Sequence, residues 1–199
     1  MLSEKEKMLS GLSYDANYDE SLKSERTKCK LACQKYNKID CDKIQERTEL
    51  LKNILGKTKD NLLIEQPFYC DYGYNIEVGE NFYANHNLVI LDPGKVIIGD
   101  NVFIGPNCGI YTAQHPIDSE TRNKGLEYAF PIKIGSNVWL GGSVTILAGV
   151  TIGDNCVIGA GSVVNKDIPS NTIAAGNPCK VIRTITEDDK HHFDRRSES

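Results

Sequence analysis

Residues 134–164 read Ile-Gly-Ser-Asn-Val-Trp-Leu-Gly-Gly-Ser-Val-Thr-Ile-Leu-Ala-Gly-Val-Thr-Ile-Gly-Asp-Asn-Cys-Val-Ile-Gly-Ala-Gly-Ser-Val-Val. An aliphatic residue returns every six positions: Ile134, Leu140, Ile146, Ile152, Ile158 and Val164. A second small or aliphatic residue follows four places later at Val138, Val144, Val150 and Cys156. Glycine follows the first at Gly135, Gly141, Gly153 and Gly159. The same period runs upstream through Ile98, Ile104 and Ile110, and before that through Val78, Ala84 and Ile90. Asn or Asp marks the turns at Asn81, Asp100-Asn101, Asn137 and Asp154-Asn155.

A six-residue period is the signature of a β-solenoid. Each hexapeptide supplies a short strand and a turn, and three of them close one triangular coil. The repeat aliphatic points inward and stacks on its equivalent in the next coil. One strand and one turn cannot bury a face alone, so the coils must stack. Gly and Asn suit turn positions that need positive φ. A β-sandwich with period-two strands would not produce this recurrence.

Composition agrees. The 199 residues include 17 Gly but only 5 Phe and 1 Trp, so the core is aliphatic and the chain turns often. Lys and Arg number 23 against 27 Asp and Glu, a net charge of -4, which argues against a basic nucleic-acid face. No apolar run approaches the roughly 20 residues that span a bilayer. Residues 1–8 lack the apolar stretch of a signal peptide, so a cytoplasmic location is expected. The seven cysteines are odd in number and form no CxxC pair, which predicts reduced thiols. Cys29 and Cys33 lie four apart on a predicted helix. No partner pair at zinc spacing follows, so no metal site is expected.

The chain divides near residue 58. Residues 1–58 read as helical, with Leu22, Cys29, Cys33 and Tyr36, then Ile44, Leu51, Ile54 and Leu55, at helical spacing. Gly11 and Gly56 suit helix ends, and Asp19 and Asp40 suit N-terminal caps or turns. Residues 59–185 carry the repeats, and 186–199 form a polar tail. The period slips by two residues around Asp92-Pro93-Gly94. It lapses over about 111–131, which predicts a long loop leaving the prism. His115, Arg122, Lys124 and Glu127 lie in that loop.

These features are joined by longer motifs: Cys70-Asp71-Tyr72-Gly73-Tyr74-Asn75-Ile76, Asn81-Phe82-Tyr83-Ala84-Asn85, Tyr111-Thr112-Ala113-Gln114-His115-Pro116, 134–142, 150–155, 158–164 and Ala175-Gly176-Asn177-Pro178. On these motifs the chain resembles the hexapeptide-repeat O-acetyltransferases, specifically the maltose and galactoside acetyltransferase group, over nearly its whole length. The resemblance implies a mainly β fold, a left-handed parallel β-helix with a small helical N-terminus. It also implies a homotrimer with each active site between two subunits, and acetyl-CoA as co-substrate with no metal.

Site residues carry over one by one. The resemblance makes His115 the general base that takes the proton from an acceptor hydroxyl attacking the thioester. Imidazole, with an ordinary pKa of about 6.5, suits that task. Direct transfer needs no Ser or Cys nucleophile; Cys108 and Cys156 fall at repeat positions and read as small core residues. Asn85 would help hold the acceptor at the reacting centre. Glu127 could orient His115, contact the acceptor, or be a solvated loop carboxylate. Asp71, Asp92 and Asn17 are the implied acceptor ligands, with Asp15 an alternative to Asn17. Asp71 matches the maltose type, where the galactoside type more often carries Ser. Pro93 replaces a second Asp of the galactoside type. Coenzyme A is expected along Tyr83, Ala84, Gly142, Ala160, Asn165, Lys166, Lys180 and Arg183, the cations meeting its phosphates. Trp139, at an outward turn position, either stacks on a sugar or packs in the core or a subunit interface. His191-His192 reads as a solvated pair.

Three rivals remain. The same fold could acylate an amine, an antibiotic or a polysaccharide unit. A β-helical zinc hydratase needs three His ligands, and only His86 and His115 lie in the β-helical part. A non-catalytic prism would have no use for His115, Asn85 and the basic C-terminal cluster together.

Overall fold

The computed structural model describes residues 2–191. All the repeat aliphatics from Val78 to Val164 are buried, as are Phe82, Leu88, Val102, Cys108, Val138, Val144, Val150 and Cys156 four places on. The repeat aliphatics sit on strands of two to four residues that pair coil to coil in parallel. Three faces result, of four, seven and five strands, and they enclose a triangular prism. Register turns the sequence period into vertical stacks. One runs Val78–Ile98–Ile134–Ile152. A second runs Ile64–Ala84–Ile104–Leu140–Ile158–Ala174. The third runs Cys70–Ile90–Ile110–Ile146–Val164. Each buried Val, Leu or Ile contributes about 1.5–3 kcal/mol.

Asparagine and glycine both supply positive φ, glycine at Gly73, Gly149, Gly161 and Gly176, but most of the corners fall to asparagine. The positive-φ corner residues are mostly Asn: Asn81, Asn87, Asn101, Asn107, Asn137, Asn155 and Asn171, with φ of 53–63°. Their amides stack between coils, as in Asn81 Nδ2 to Asn101 Oδ1 at 2.9 Å and Asn155 Nδ2 to Asn171 Oδ1 at 3.0 Å. The glycine after the repeat aliphatic serves close approach instead. A Cβ on Gly141 would stand 2.6 Å from the Ala160 nitrogen in the next coil.

Helices α1 (Glu4–Leu9), α2 (Glu20–Tyr36) and α3 (Ile44–Ile54) precede the prism. Asp19 caps α2 by accepting from the Leu22 N–H. Asp40 is a turn residue rather than a cap: its carbonyl accepts the Lys43 N–H at 3.1 Å, its carboxylate pairs with that lysine at 3.2 Å, and α3 follows Lys43. The buried stripe Leu22, Cys29, Cys33 and Tyr36 turns α2 inward. Asn37 then fastens its end to the first coil, donating to the Phe68 carbonyl and accepting the Phe68 N–H. Arg47 is buried although charged, and donates to the Ile64 carbonyl and the Glu65 carboxylate, both at 2.9 Å.

The 111–131 excursion is more ordered than a loop. Ala113–Gln114 and Leu126–Ala129 pair antiparallel, with helix α4 (Ser119–Asn123) between them. Tyr14–Asp15 joins the other edge, so the N-terminal segment and the excursion form one three-stranded sheet. Buried Thr112 ties the base: its hydroxyl donates to the Leu91 carbonyl and accepts the Gly94 N–H. At the other end Lys180–Thr184 runs antiparallel to Thr172–Ala175 and closes the seven-stranded face. His192 and the rest of 192–199 lie outside the described residues.

Candidate active site

Antiparallel register places Tyr14 directly opposite Glu127. The Tyr14 hydroxyl donates to Glu127 Oε2 at 2.9 Å. Tyr14 is fully buried, and burial, reinforced by the Glu127 charge, pushes its pKa far above the ordinary value. It therefore stays a protonated donor. The other carboxylate oxygen, Oε1, faces His115 Nε2 at 3.8 Å. The Glu127 side chain is 17% exposed and the His115 side chain 55%. Glu127 is thus an anchored carboxylate beside the imidazole, not a solvated loop group.

Asp71 and Asn17 lie around this pair. Asn17 Nδ2 donates to the Gly125 carbonyl, which docks the N-terminal segment against the excursion. Arg26 holds that segment by donating to the Ala16 carbonyl at 2.5 Å and to the Tyr72 hydroxyl at 3.0 Å. Asp15 turns inward to its own loop and accepts the N–H groups of Asn17 and Tyr18. Burial raises the Asp71 pKa, while Arg26 and Lys30 pull it down and the Glu127 charge adds to the rise. Asp71 and Glu127 therefore share one electrostatic neighbourhood.

The fold changes one expected contact and narrows another. Asp92 does not offer its carboxylate to an acceptor. It is fully buried, and its Oδ1 accepts the N–H groups of Asp71 and Tyr72, so it shapes the turn that presents Asp71. Ala84 is fully buried at an inward repeat position, so only its backbone is available to a cofactor outside the prism. Trp139 likewise sits on a strand rather than in a turn, 55% exposed and in register with Phe103 and Val157.

The remaining residues fall on two edges of the prism. Asn85, Gly142 and Ala160 follow the strands of the seven-stranded face, at its corner with the five-stranded face. Asp71, the excursion, Asn165 and Lys166 follow the strands of the five-stranded face, at the next corner. A whole face therefore separates Asn85 from His115 within one chain. Lys166 and Lys180 are exposed. Arg183 is held by Asp189 through two contacts of 2.8 and 2.6 Å. Tyr83 is half-buried against Phe103, with ring centroids 6.4 Å apart.

Tyr14, Arg26 and Thr112 were not singled out by sequence. Nothing in their local pattern marks them, because their partners lie far along the chain.

Residues 7–59 match the maltose acetyltransferase hexapeptide capping motif, and 131–166 match the six-repeat bacterial transferase hexapeptide. Galactoside O-acetyltransferase of Escherichia coli is 48% identical over 87% of this chain and 86% of its own length. The chain belongs to the maltose and galactoside acetyltransferase family. A maltose O-acetyltransferase structure from Clostridium difficile superposes with a TM-score of 0.91 at 55% identity, covering 94% of this chain and 99% of that one. A galactoside acetyltransferase in complex with coenzyme A superposes at 0.93 with 44% identity, covering 97% and 96%. The solenoid is accordingly the left-handed β-helix of these acyltransferases. No helix among the described residues is long and apolar enough to cross a membrane.

Proposed function

We propose that this protein is an acetyl-CoA-dependent O-acetyltransferase whose acceptor is a sugar hydroxyl of the maltose, glucose or galactoside type. The observation that carries the reading is the anchored pair of His115 and Glu127. His115 Nε2 takes the acceptor's proton while the oxygen attacks the thioester carbon. The C–S bond then breaks, and the coenzyme leaves as a thiol once its sulfur is protonated. Glu127 Oε1 stands where it can accept from an acceptor hydroxyl or favour the imidazolium that forms. Asp71, presented by Asp92, adds a further acceptor for sugar hydroxyls. Relatives with coenzyme A in their crystals support the donor.

The site is completed between copies of the chain in a homotrimer. Asn85, Gly142 and Ala160 occupy a different prism edge from His115, so donor and acceptor halves meet when one chain's edge faces its neighbour's. An outward ladder on the seven-stranded face, Tyr83, Phe103 and Trp139, supports such an association, since Phe103 and Trp139 are 52% and 55% exposed. On this reading 1–58 is a capping segment and 59–185 the transferase domain. Seven free cysteines fit a reducing, cytoplasmic setting.

A thiol-release assay over mono- and disaccharides, with an amine panel beside it, tests the reading. Release with sugars and not amines is expected. Release with amines alone overturns it.

A further inference from the structure

Cys29 and Cys33 lie one turn apart on the buried stripe of α2, and the fold sets Cys70 against both. Cys70 ends the strand Phe68–Cys70 and begins the third interior stack. Its Sγ is 3.4 Å from Cys29 Sγ and 3.8 Å from Cys33 Sγ, and all three sulfurs lie within 4.8 Å of one another. None is more than 7% exposed. Two other buried cysteines, Cys108 and Cys156, belong to no such sulfur group among the described residues. Cys108 and Cys156 each donate to a backbone carbonyl at 3.2 Å, as small core residues do.

We propose that Cys29, Cys33 and Cys70 form a binding site for a thiophilic monovalent d10 cation, Cu(I), held by three thiolates. With metal–sulfur bonds of about 2.3 Å, a planar three-coordinate ion sets its sulfurs about 4.0 Å apart. Two observed spacings, 3.4 and 3.8 Å, fall within about 0.6 Å of that value and the third is under 4.8 Å, so the site needs little movement. No fourth donor joins the group among the described residues. That favours a three-coordinate soft ion over tetrahedral zinc. The sulfurs are reachable. A cavity of about 320 Å³ lined by Lys30, Cys33, Tyr69, Cys70 and Asp71 opens on one side, and one lined by Lys28, Cys29 and Ala32 on the other. Lys28 and Lys30 line the mouths of these cavities. Binding replaces the three S–H protons, which pass to solvent, with metal–sulfur bonds. No electron transfer is involved. The ion would fasten the helical cap to the first coil, one residue before Asp71.

The test titrates Cu(I) into the full chain under a non-thiol reductant. Sulfur-to-metal charge-transfer absorbance saturating at one ion per chain is expected, with three thiols protected from maleimide. A melting-temperature rise of roughly 5–10 °C should appear at hundredfold excess over Kd. Cys33→Ser and Cys70→Ser should abolish these changes, and Cys41→Ser, at an exposed thiol, should keep them. No saturation, no thiol protection, or loss in Cys41→Ser overturns the site. Protection of the same three thiols by Zn(II) but not Cu(I) overturns the three-coordinate assignment. The protection assay needs no variant, so it decides the matter even if a serine variant fails to fold.

Discussion

Glu127 stands 3.8 Å from His115 with one oxygen while Tyr14 holds the other at 2.9 Å. The first separation is too long for a direct hydrogen bond, so Oε1 keeps its lone pairs open to an acceptor hydroxyl that approaches both groups from the side. The second fixes the carboxylate before any substrate arrives. His115→Ala should lower turnover at least ~100-fold, in the range of general-base loss. Acetyl-CoA affinity, measured by calorimetry, should barely change. Unchanged turnover would remove His115 from the chemistry.

Tyr14→Phe keeps the ring in the core and deletes only the donor. A buried carboxylate oxygen then loses its partner. The expected result is a roughly tenfold fall in kcat/KM and about 1–3 kcal/mol less stability in urea. A fall in stability alone would mean that Tyr14 braces the fold without tuning the site.

Asp92 carries a distinctive pH signature. Burial pushes its carboxyl up to about 7, opposed by the Tyr72 and Asp71 N–H groups. Its Oδ2 is buried and without a hydrogen-bond partner among the described residues. The folded chain therefore prefers the protonated acid, while the unfolded chain ionises near the ordinary value of about 3.9. The acid form's advantage is full below about pH 4 and is lost as pH rises to about 7, at up to roughly 1.4 kcal/mol per unit. Asp92→Asn keeps an acceptor oxygen and removes the titration. Its stability relative to the parent should climb across that window in denaturant melts at several pH values. A difference independent of pH would refute the burial argument.

Lys166→Ala and Lys180→Ala act on exposed cations. Each should raise the acetyl-CoA KM roughly 3–10-fold with kcat little changed, and weaken its dependence on salt. Steady-state kinetics at two ionic strengths decide this. A fall in kcat with KM unmoved would place these lysines outside the cofactor surface.

Two glycines separate close approach from backbone conformation. At Gly141 an added Cβ meets the Ala160 nitrogen at 2.6 Å, so Gly141→Ala must push coils apart. At Gly161, with φ +72°, a Cβ meets nothing within 4 Å. Gly161→Ala should cost only about 1–2 kcal/mol, and Gly141→Ala clearly more, in thermal melts. Equal costs would undo the distinction.

Much of this was legible in one dimension. The stack ending in Val164 is the sequence period made vertical: 18 residues make one coil from Ile146 to Val164, and the slip and the excursion lengthen earlier coils without changing which residue faces in. His115 stood out because it interrupts that period. Asp92 reads as an acceptor ligand in sequence, yet its carboxylate is buried under the Asp71 turn. A motif match carries residue type and place, but not whether a side chain points into the core. The excursion read as a loop because its strand partner, Tyr14, lies about a hundred residues earlier.

The sequence by itself determined the prism, its interior stacks, its corners and the place where the chain leaves it. All of these follow from spacing along the chain, which short-range backbone geometry converts directly into structure. Only the tertiary structure decided that Tyr14 secures Glu127 beside His115, that Asp92 shapes the Asp71 turn from below, and that Cys70 closes a three-thiol cluster with Cys29 and Cys33. Those pairings join residues 20 to 113 positions apart. They depend on how a helical cap and an excursion dock on the solenoid, and no local period encodes that docking.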